Sequence, residues 1–171
     1  MPAKPVYSVD SSALIHAWRR VYRPKNFGFV WEGFDSLIEN NRLRASIEVY
    51  SELEKKDDEL FAWCKERKET LFLEIDDDVQ AIVKEILRDH PRLVDTVKGR
   101  SGADPFVIAL AETTKPFMVV LTEETPGRVK IPDVCDARGI KWLNLASRHD
   151  RRRRLEVRRV KAWCDGSFCR N

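Results

Sequence analysis

The run Phe117-Met118-Val119-Val120-Leu121 restricts the fold more than any other feature of this chain. It has the length of a strand and no polar residue alternates with its apolar ones, so both of its faces must be covered. Strands buried on both sides belong to parallel sheets, which need helical crossovers. Val6-Tyr7-Ser8-Val9-Asp10 reads as a short strand ending on an acid, and Ile140-Lys141-Trp142-Leu143 as a last strand. Helical segments lie between them. Ser11 and Ser12 offer an N-cap to a helix over Ala13–Trp18. A second helix covers Trp31–Asn40, with Pro24 and Gly28 as punctuation before it. A third starts near Ser46 and runs toward Lys56, and Asp57 caps a continuation holding Leu60, Phe61 and Trp63. Asp76 caps a helix over Val79–Leu87, whose apolar residues recur at helical spacing. Asp104-Pro105 opens a helix through Ala111, and Pro132–Arg138 forms a short helix closed by Gly139. Leu71-Phe72-Leu73 is too short to assign, and Val129-Lys130-Ile131 reads as a further short strand. Strands alternating with helices predict an α/β fold around a parallel sheet.

A length of 171 residues suits one domain, and 43% hydrophobic with 35% charged residues is globular composition with a charged surface. No apolar run approaches the roughly 20 residues that span a bilayer, and Met1 to Pro5 carry no signal-peptide core. The expectation is a cytoplasmic protein without a membrane partner. Cys64, Cys135, Cys164 and Cys169 form no Cys-x-x-Cys pair, and His16, His90 and His149 complete no zinc-ligand spacing. They read as reduced thiols and scattered imidazoles. Trp18, Trp31, Trp63 and Trp142 read as core or interface residues.

The net charge of +3 is unevenly placed. Arg148 to Asn171 hold nine Lys and Arg against three Asp and Glu, a net of +6, so residues 1–147 carry −3. Two regions are therefore expected, a folded domain over 1–147 and a basic tail over 148–171. Arg151, Arg152, Arg153, Arg154, Arg158 and Arg159 of that tail are candidates for neutralising RNA phosphates, with a solvated helix face as the plainer alternative.

In α/β sheets, sites form beyond the carboxyl ends of strands. Asp10 and Glu124 stand at such ends, and Asp104 opens a helix beside the small residues Gly102 and Ala103. Glu48 and Glu52 lie one helical turn apart, so one of them can point at the same place. Acids gathered without a basic partner repel one another, and a divalent ion relieves that repulsion. Mg²⁺ or Mn²⁺ takes oxygen ligands and can activate water against a phosphodiester. Helix capping is the plainer account of Asp10 and Asp104 taken singly. Asp76-Asp77-Asp78 is the densest acidic run and reads as a solvated helix start.

The order of these segments resembles the PIN-domain nucleases over about residues 5–147. Val9-Asp10-Ser11-Ser12-Ala13-Leu14-Ile15 is similar to their opening strand with its acid and hydroxyl. Glu52-Leu53 is similar to their second acidic position, Gly102-Ala103-Asp104-Pro105 to their third, and Val119 to Glu124 to their strand followed by Thr-x-acid. Lys130 to Cys135 with Gly139-Ile140 resembles a branch similar to VapC-type toxins. The resemblance implies a three-layer α/β/α fold with a central parallel sheet of about four to five strands. It also implies a Mg²⁺- or Mn²⁺-dependent endoribonuclease held by a cognate antitoxin, with RNA as substrate and a homodimer allowed. Carried over, Asp10, Glu52, Asp104 and Glu124 hold the metal or orient its water, Ser11 or Ser12 supports them, and Glu48 is the reserve for Glu52. Asp133 and Asp136 are weaker candidates. The chain departs from the pattern in having Glu124 where Asp is usual, a longer insertion before the third motif, and the tail after Arg148. The rival reading is a catalytically inactive PIN-like module that binds nucleic acid or an antitoxin. A phosphatase-like or response-regulator-like use of the strand-end Asp is disfavoured, because Asp10-Ser11-Ser12 lacks the nearby Lys or second Asp that such sites want.

Overall fold

The computed structural model describes residues 4–56, 58–94 and 102–145. Five short strands form one parallel sheet: β1 (Tyr7–Val9), β2 (Leu43–Ser46), β3 (Phe72–Leu73), β4 (Val119–Leu121) and β5 (Trp142–Leu143), in the order β3-β2-β1-β4-β5. Tyr7 pairs with Leu43 on one side and Val119 on the other, and Val9 pairs with Leu121. β1 is buried along its whole length, as a central strand covered on both faces must be. The helices are α1 (Ser11–His16), α2 (Pro24–Glu39), α3 (Ile47–Glu54), α4 (Glu59–Glu66), α5 (Lys68–Leu71), α6 (Asp77–Asp89), α7 (Asp104–Thr113) and α8 (Ile131–Arg138). They fall into two groups by contact. α7 packs on β1, β2 and β4 and against α6 and α8, while α1, α2, α3, α4 and α5 pack among themselves and on β2 and β3. This is the three-layer α/β/α arrangement around a five-stranded parallel sheet that the resemblance implies.

Local chemistry explains most boundaries. Ser46 caps α3 by accepting from the Glu48 N–H, and Asp76 caps α6 by accepting from the Val79 N–H at 2.8 Å. α8 ends at Gly139, whose φ of +70° suits a residue without a Cβ. Asp58 caps α4 through the Phe61 N–H, so the cap expected at Asp57 shifts by one, and Asp57 itself lies outside the described residues.

Three expectations change, and two unassigned segments prove to be strands. Leu43–Ser46, which carries no assignment from sequence, is a strand that precedes the helix starting after Ser46, and Phe72–Leu73 is an edge strand beside it. α2 begins at Pro24, which occupies a first-turn position where its missing N–H costs nothing, and it bends at Phe27. Ile131 starts α8, so Val129–Ile131 is not a strand. Ser11 and Ser12 are the first helical residues of α1, and Asp10 holds the cap position.

The core is mostly apolar and includes Leu14, Phe34, Leu37, Leu43, Leu53, Ile86, Ile108 and Leu121, with Ser8, Asp10, Asp104, Thr122 and Asn144 as buried polar groups. Trp18, Trp31 and Trp63 pack edge-on or tilted against one another, with ring centroids 4.6–6.2 Å apart, and Trp142 is buried. Cys64 and Cys135 are buried free thiols, and burial pushes the Cys64 thiol up to about 12. Cys164, Cys169 and Trp163 lie outside the described residues, as do Arg151, Arg152, Arg153, Arg154, Arg158 and Arg159.

Candidate functional site

The carboxyl ends of β1, β2 and β4 are neighbours because these strands are parallel and adjacent. The chain leaves each of them into a segment bearing acids: Asp10 after β1, α3 with Glu52 after β2, and Thr122 to Glu124 after β4. The Asp10 N–H donates to the Leu121 carbonyl at 2.9 Å, which fixes the first acid beside the β4 exit. This edge, where the strand order turns back across β1, is the place where α/β sheets bind ligands.

Asp10 is 2% exposed. It occupies the cap position of α1 yet accepts no capping bond from the helix. Its Oδ2 instead accepts from the Ser12 hydroxyl at 2.5 Å and from the Thr122 hydroxyl at 3.2 Å. Its Oδ1 has only a long contact of 3.4 Å from Ser11. Burial pushes the Asp10 carboxyl up from 3.8 to about 6; Ser12 and Thr122 oppose the rise, and the negative charges of Glu124 and Glu52 add to it. Three of the four expected acids therefore share one electrostatic neighbourhood.

Glu52 is the member of its pair that reaches the site. Its Oε2 accepts from Ser11 at 2.8 Å and its Oε1 from the Ala103 N–H at 3.1 Å, while Glu48 makes neither contact. Ala103 immediately precedes Asp104, which opens α7 and is 6% exposed. Asp104 is thus one residue from a backbone amide bound to Glu52. Because Ala103 holds the cap position, capping does not explain Asp104. α7 is pinned to β1 by the Ser8 hydroxyl, which donates to the Val107 carbonyl at 2.8 Å in the core. Glu124 is held differently: its Oε1 pairs with the Lys130 ammonium at 3.2 Å and its Oε2 accepts from the Ile131 N–H at 2.9 Å.

Asp133 and Asp136 serve the scaffold. Asp133 accepts from the Gly127 and Lys130 N–H groups, and Asp136 accepts from the Trp142 indole at 2.9 Å. Sequence reasoning missed three participants. The Asn144 amide donates to the Thr122 and Glu124 carbonyls and holds the β4 exit loop. Glu123 receives no sequence signal beyond its neighbour, yet its N–H donates to Ser12 and its carboxylate pairs with His16 Nδ1 at 3.1 Å. A Ser12–His16 spacing of one helical turn was the available clue.

Among the described residues, no three His, Cys, Asp or Glu side chains are close enough to hold an ion as they stand. The donor set around Asp10 is all oxygen, from carboxylates and hydroxyls, which is what hard divalent cations prefer.

A family model described as "Domain of unknown function (DUF4411)" matches residues 7–153. No curated protein matches the sequence. Among solved structures, the chain is similar to one in the crystal structure of VapBC2 from Rickettsia felis bound to a DNA fragment from their promoter. The identity is 12%, the match covers 82% of this chain and 98% of that one, and the TM-score is 0.50.

Proposed function

We propose, from the premise that this chain belongs to the DUF4411 family and has a PIN-like fold, that it is a divalent-metal-dependent endoribonuclease. The observation that carries the reading is the buried Asp10, raised to about 6 with Glu52 and Glu124 as like-charged neighbours. Such a cluster favours a cation strongly, because binding one relieves both the desolvation and the repulsion. Mg²⁺ is commonly held by one or two carboxylates, with waters and substrate phosphates completing the shell, so a ready-made three-acid cage is not required.

In this reading Asp10 would be the central ligand through Oδ1, since Ser12 and Thr122 both occupy Oδ2. Glu52 and Asp104 would flank it, with Ser11 and the Ala103 N–H fixing the Glu52 rotamer. Glu124 would act from the fourth side once Lys130, half-exposed on a flexible stem, gives way. Bound there, Mg²⁺ or Mn²⁺ would supply an activated water and stabilise the charge of the phosphodiester under attack. Burial around Asp10 keeps bulk water away and strengthens each of these electrostatic contacts. The reading extends to a protein antitoxin as partner, RNA as substrate, a cytoplasmic setting, and a nuclease domain over 1–147 followed by a basic tail.

Purified protein is expected to cut RNA with Mg²⁺ or Mn²⁺ and to stop in EDTA. Asp10→Asn and Asp104→Asn should each abolish cutting; variants that cut like wild type would overturn the assignment. The engagement of Glu124 by Lys130 and Ile131 favours a second reading, a PIN-like module that binds nucleic acid or an antitoxin without cleavage. RNA binding unaffected by EDTA, with no cleavage under any divalent ion, would select it.

A further inference from the structure

An acid pocket repels the polyanion it is meant to cut, so the substrate needs cations nearby to hold it. α1 leads away from Asp10 into a π-turn over Ala17–Val21 and on to the start of α2, and this stretch places Arg19, Arg20, Arg23 and Lys25 on the surface, all exposed. A cavity of about 430 Å³ opens among Trp18, Arg19, Arg23, Lys25, Asp58 and Glu59. At 1.5 Å per residue, Trp18 lies about 12 Å along the helix from Asp10.

The cations are arranged in part by the protein itself. Arg19 pairs with Asp58, which also caps α4, so that one charge is already answered. The Arg23 Nε donates to the Arg19 carbonyl at 2.9 Å, which holds the second guanidinium one turn from the first. Among the described residues neither Arg23 nor Lys25 forms an ion pair. With Asp58 taken by Arg19, Arg23 and Lys25 outnumber Glu59, the remaining carboxylate of the lining, and beside an aromatic ring they suit a phosphate with an attached base: the guanidinium fork matches phosphate oxygens, and an indole face accepts any base by stacking. The volume is that of a small-ligand pocket, larger than a carboxylate side chain needs.

We propose that this cavity binds a nucleotide unit of single-stranded RNA flanking the bond to be cut, with the phosphate on Arg23 and Lys25 and the base against Trp18. The inference rests on the ribonuclease reading and adds to it a docking point outside the acid cluster.

The test is fluorescence anisotropy of a labelled single-stranded RNA oligonucleotide with the full chain in EDTA, across a salt series. Arg23→Gln/Lys25→Gln should bind about tenfold more weakly. Its salt dependence should flatten by about 0.7 in slope, which is the contribution of the one single-strand phosphate the pair holds. Lys25→Gln alone, which breaks no intramolecular bond, should show about half of that flattening. Lys84→Gln/Arg92→Gln, which removes the same charge from the exposed surface at and beyond α6, should bind like wild type. The cavity assignment is overturned if the Arg23/Lys25 variant matches wild type, if the Lys84/Arg92 variant loses as much, or if wild type binds no RNA. It is also overturned if the Arg23/Lys25 variant loses a polyglutamate peptide but keeps RNA, which would make the cavity a site for an acidic protein segment. These outcomes are separate from the nuclease reading, which fails only if Asp10→Asn and Asp104→Asn cut RNA as wild type does.

Discussion

Asp10→Asn should make the metal-free protein more stable at neutral pH while removing its activity. A carboxyl raised from 3.8 to about 6 binds its proton more tightly folded than unfolded. Folding stability therefore falls as pH rises from about 4 through about 6, and stays low above that. The shift is roughly two units at 1.36 kcal/mol each, so the ionised Asp10 costs the fold about 3 kcal/mol. Asparagine has the same shape and no charge to desolvate. Its carbonyl oxygen can keep the Ser12 and Thr122 bonds at the Oδ2 position, but its amide then faces the Ser11 hydroxyl that donates toward Oδ1, at about 1 kcal/mol. The net gain at pH 7.5 is then about 2 kcal/mol, or roughly 4–8 °C in Tm for a chain of this size. The cleanest measure is the stability difference between variant and wild type, followed from pH 4 to pH 7.5 in EDTA by urea unfolding. The cost of the altered hydrogen bond is nearly constant across the range, so the charge effect appears as a rise of about 3 kcal/mol in that difference. A flat difference would refute the argument that burial and like charge load this carboxylate. Adding Mn²⁺ should raise the Tm of wild type and leave the variant where it was.

Glu52→Gln removes one of the two neighbouring charges that raise Asp10, so the Asp10 carboxyl should titrate below about 6 when followed by carboxyl NMR. Ser8→Ala strips a buried donor from the Val107 carbonyl and should cost about 1–3 kcal/mol in urea unfolding, loosening α7 and Asp104 with it. Gly139→Ala forces a Cβ into a left-handed conformation and should lower stability by about 1–2 kcal/mol in the same assay, with the RNA affinity unchanged.

The elements that read correctly from sequence carry their instructions locally. Asp76 three residues before Val79, Ser46 two before Glu48, and Gly139 after Arg138 each mark a helix end with a side chain or backbone preference that acts within a turn. The strand Val119–Leu121 declares itself because nothing polar interrupts it. Leu43–Ser46 does not, because Arg44 breaks its apolar run and its identity depends on pairing with β1 and β3, far away in the chain. Ile131 looks like the end of a strand until Pro132 and Asp133 are seen as the first turn of α8. The acids followed the same division. Asp10, Asp104 and Glu124 were marked by their places at the ends of strands and the start of a helix. The choice between Glu48 and Glu52 was open, since both lie one turn apart on α3 and only the docking of α3 beside Ser11 and Ala103 separates them. The His16–Glu123 pair spans 107 positions, and the one-turn spacing of Ser12 and His16 marks only its α1 side.

The same long reach governs when the pocket can exist. The Thr122 hydroxyl that holds Asp10 lies 112 positions further along the chain. At 5–20 residues per second, about 6–22 s of synthesis separate the two. A ribosome making this protein therefore carries the first strand and its acid without β4 for that interval. A chain truncated before β4 has lost the neighbour that supplies Thr122 and Glu124, and with them the electrostatic load on Asp10. Activity of the proposed kind would consequently arrive late and all at once, when the fourth strand slots in beside the first.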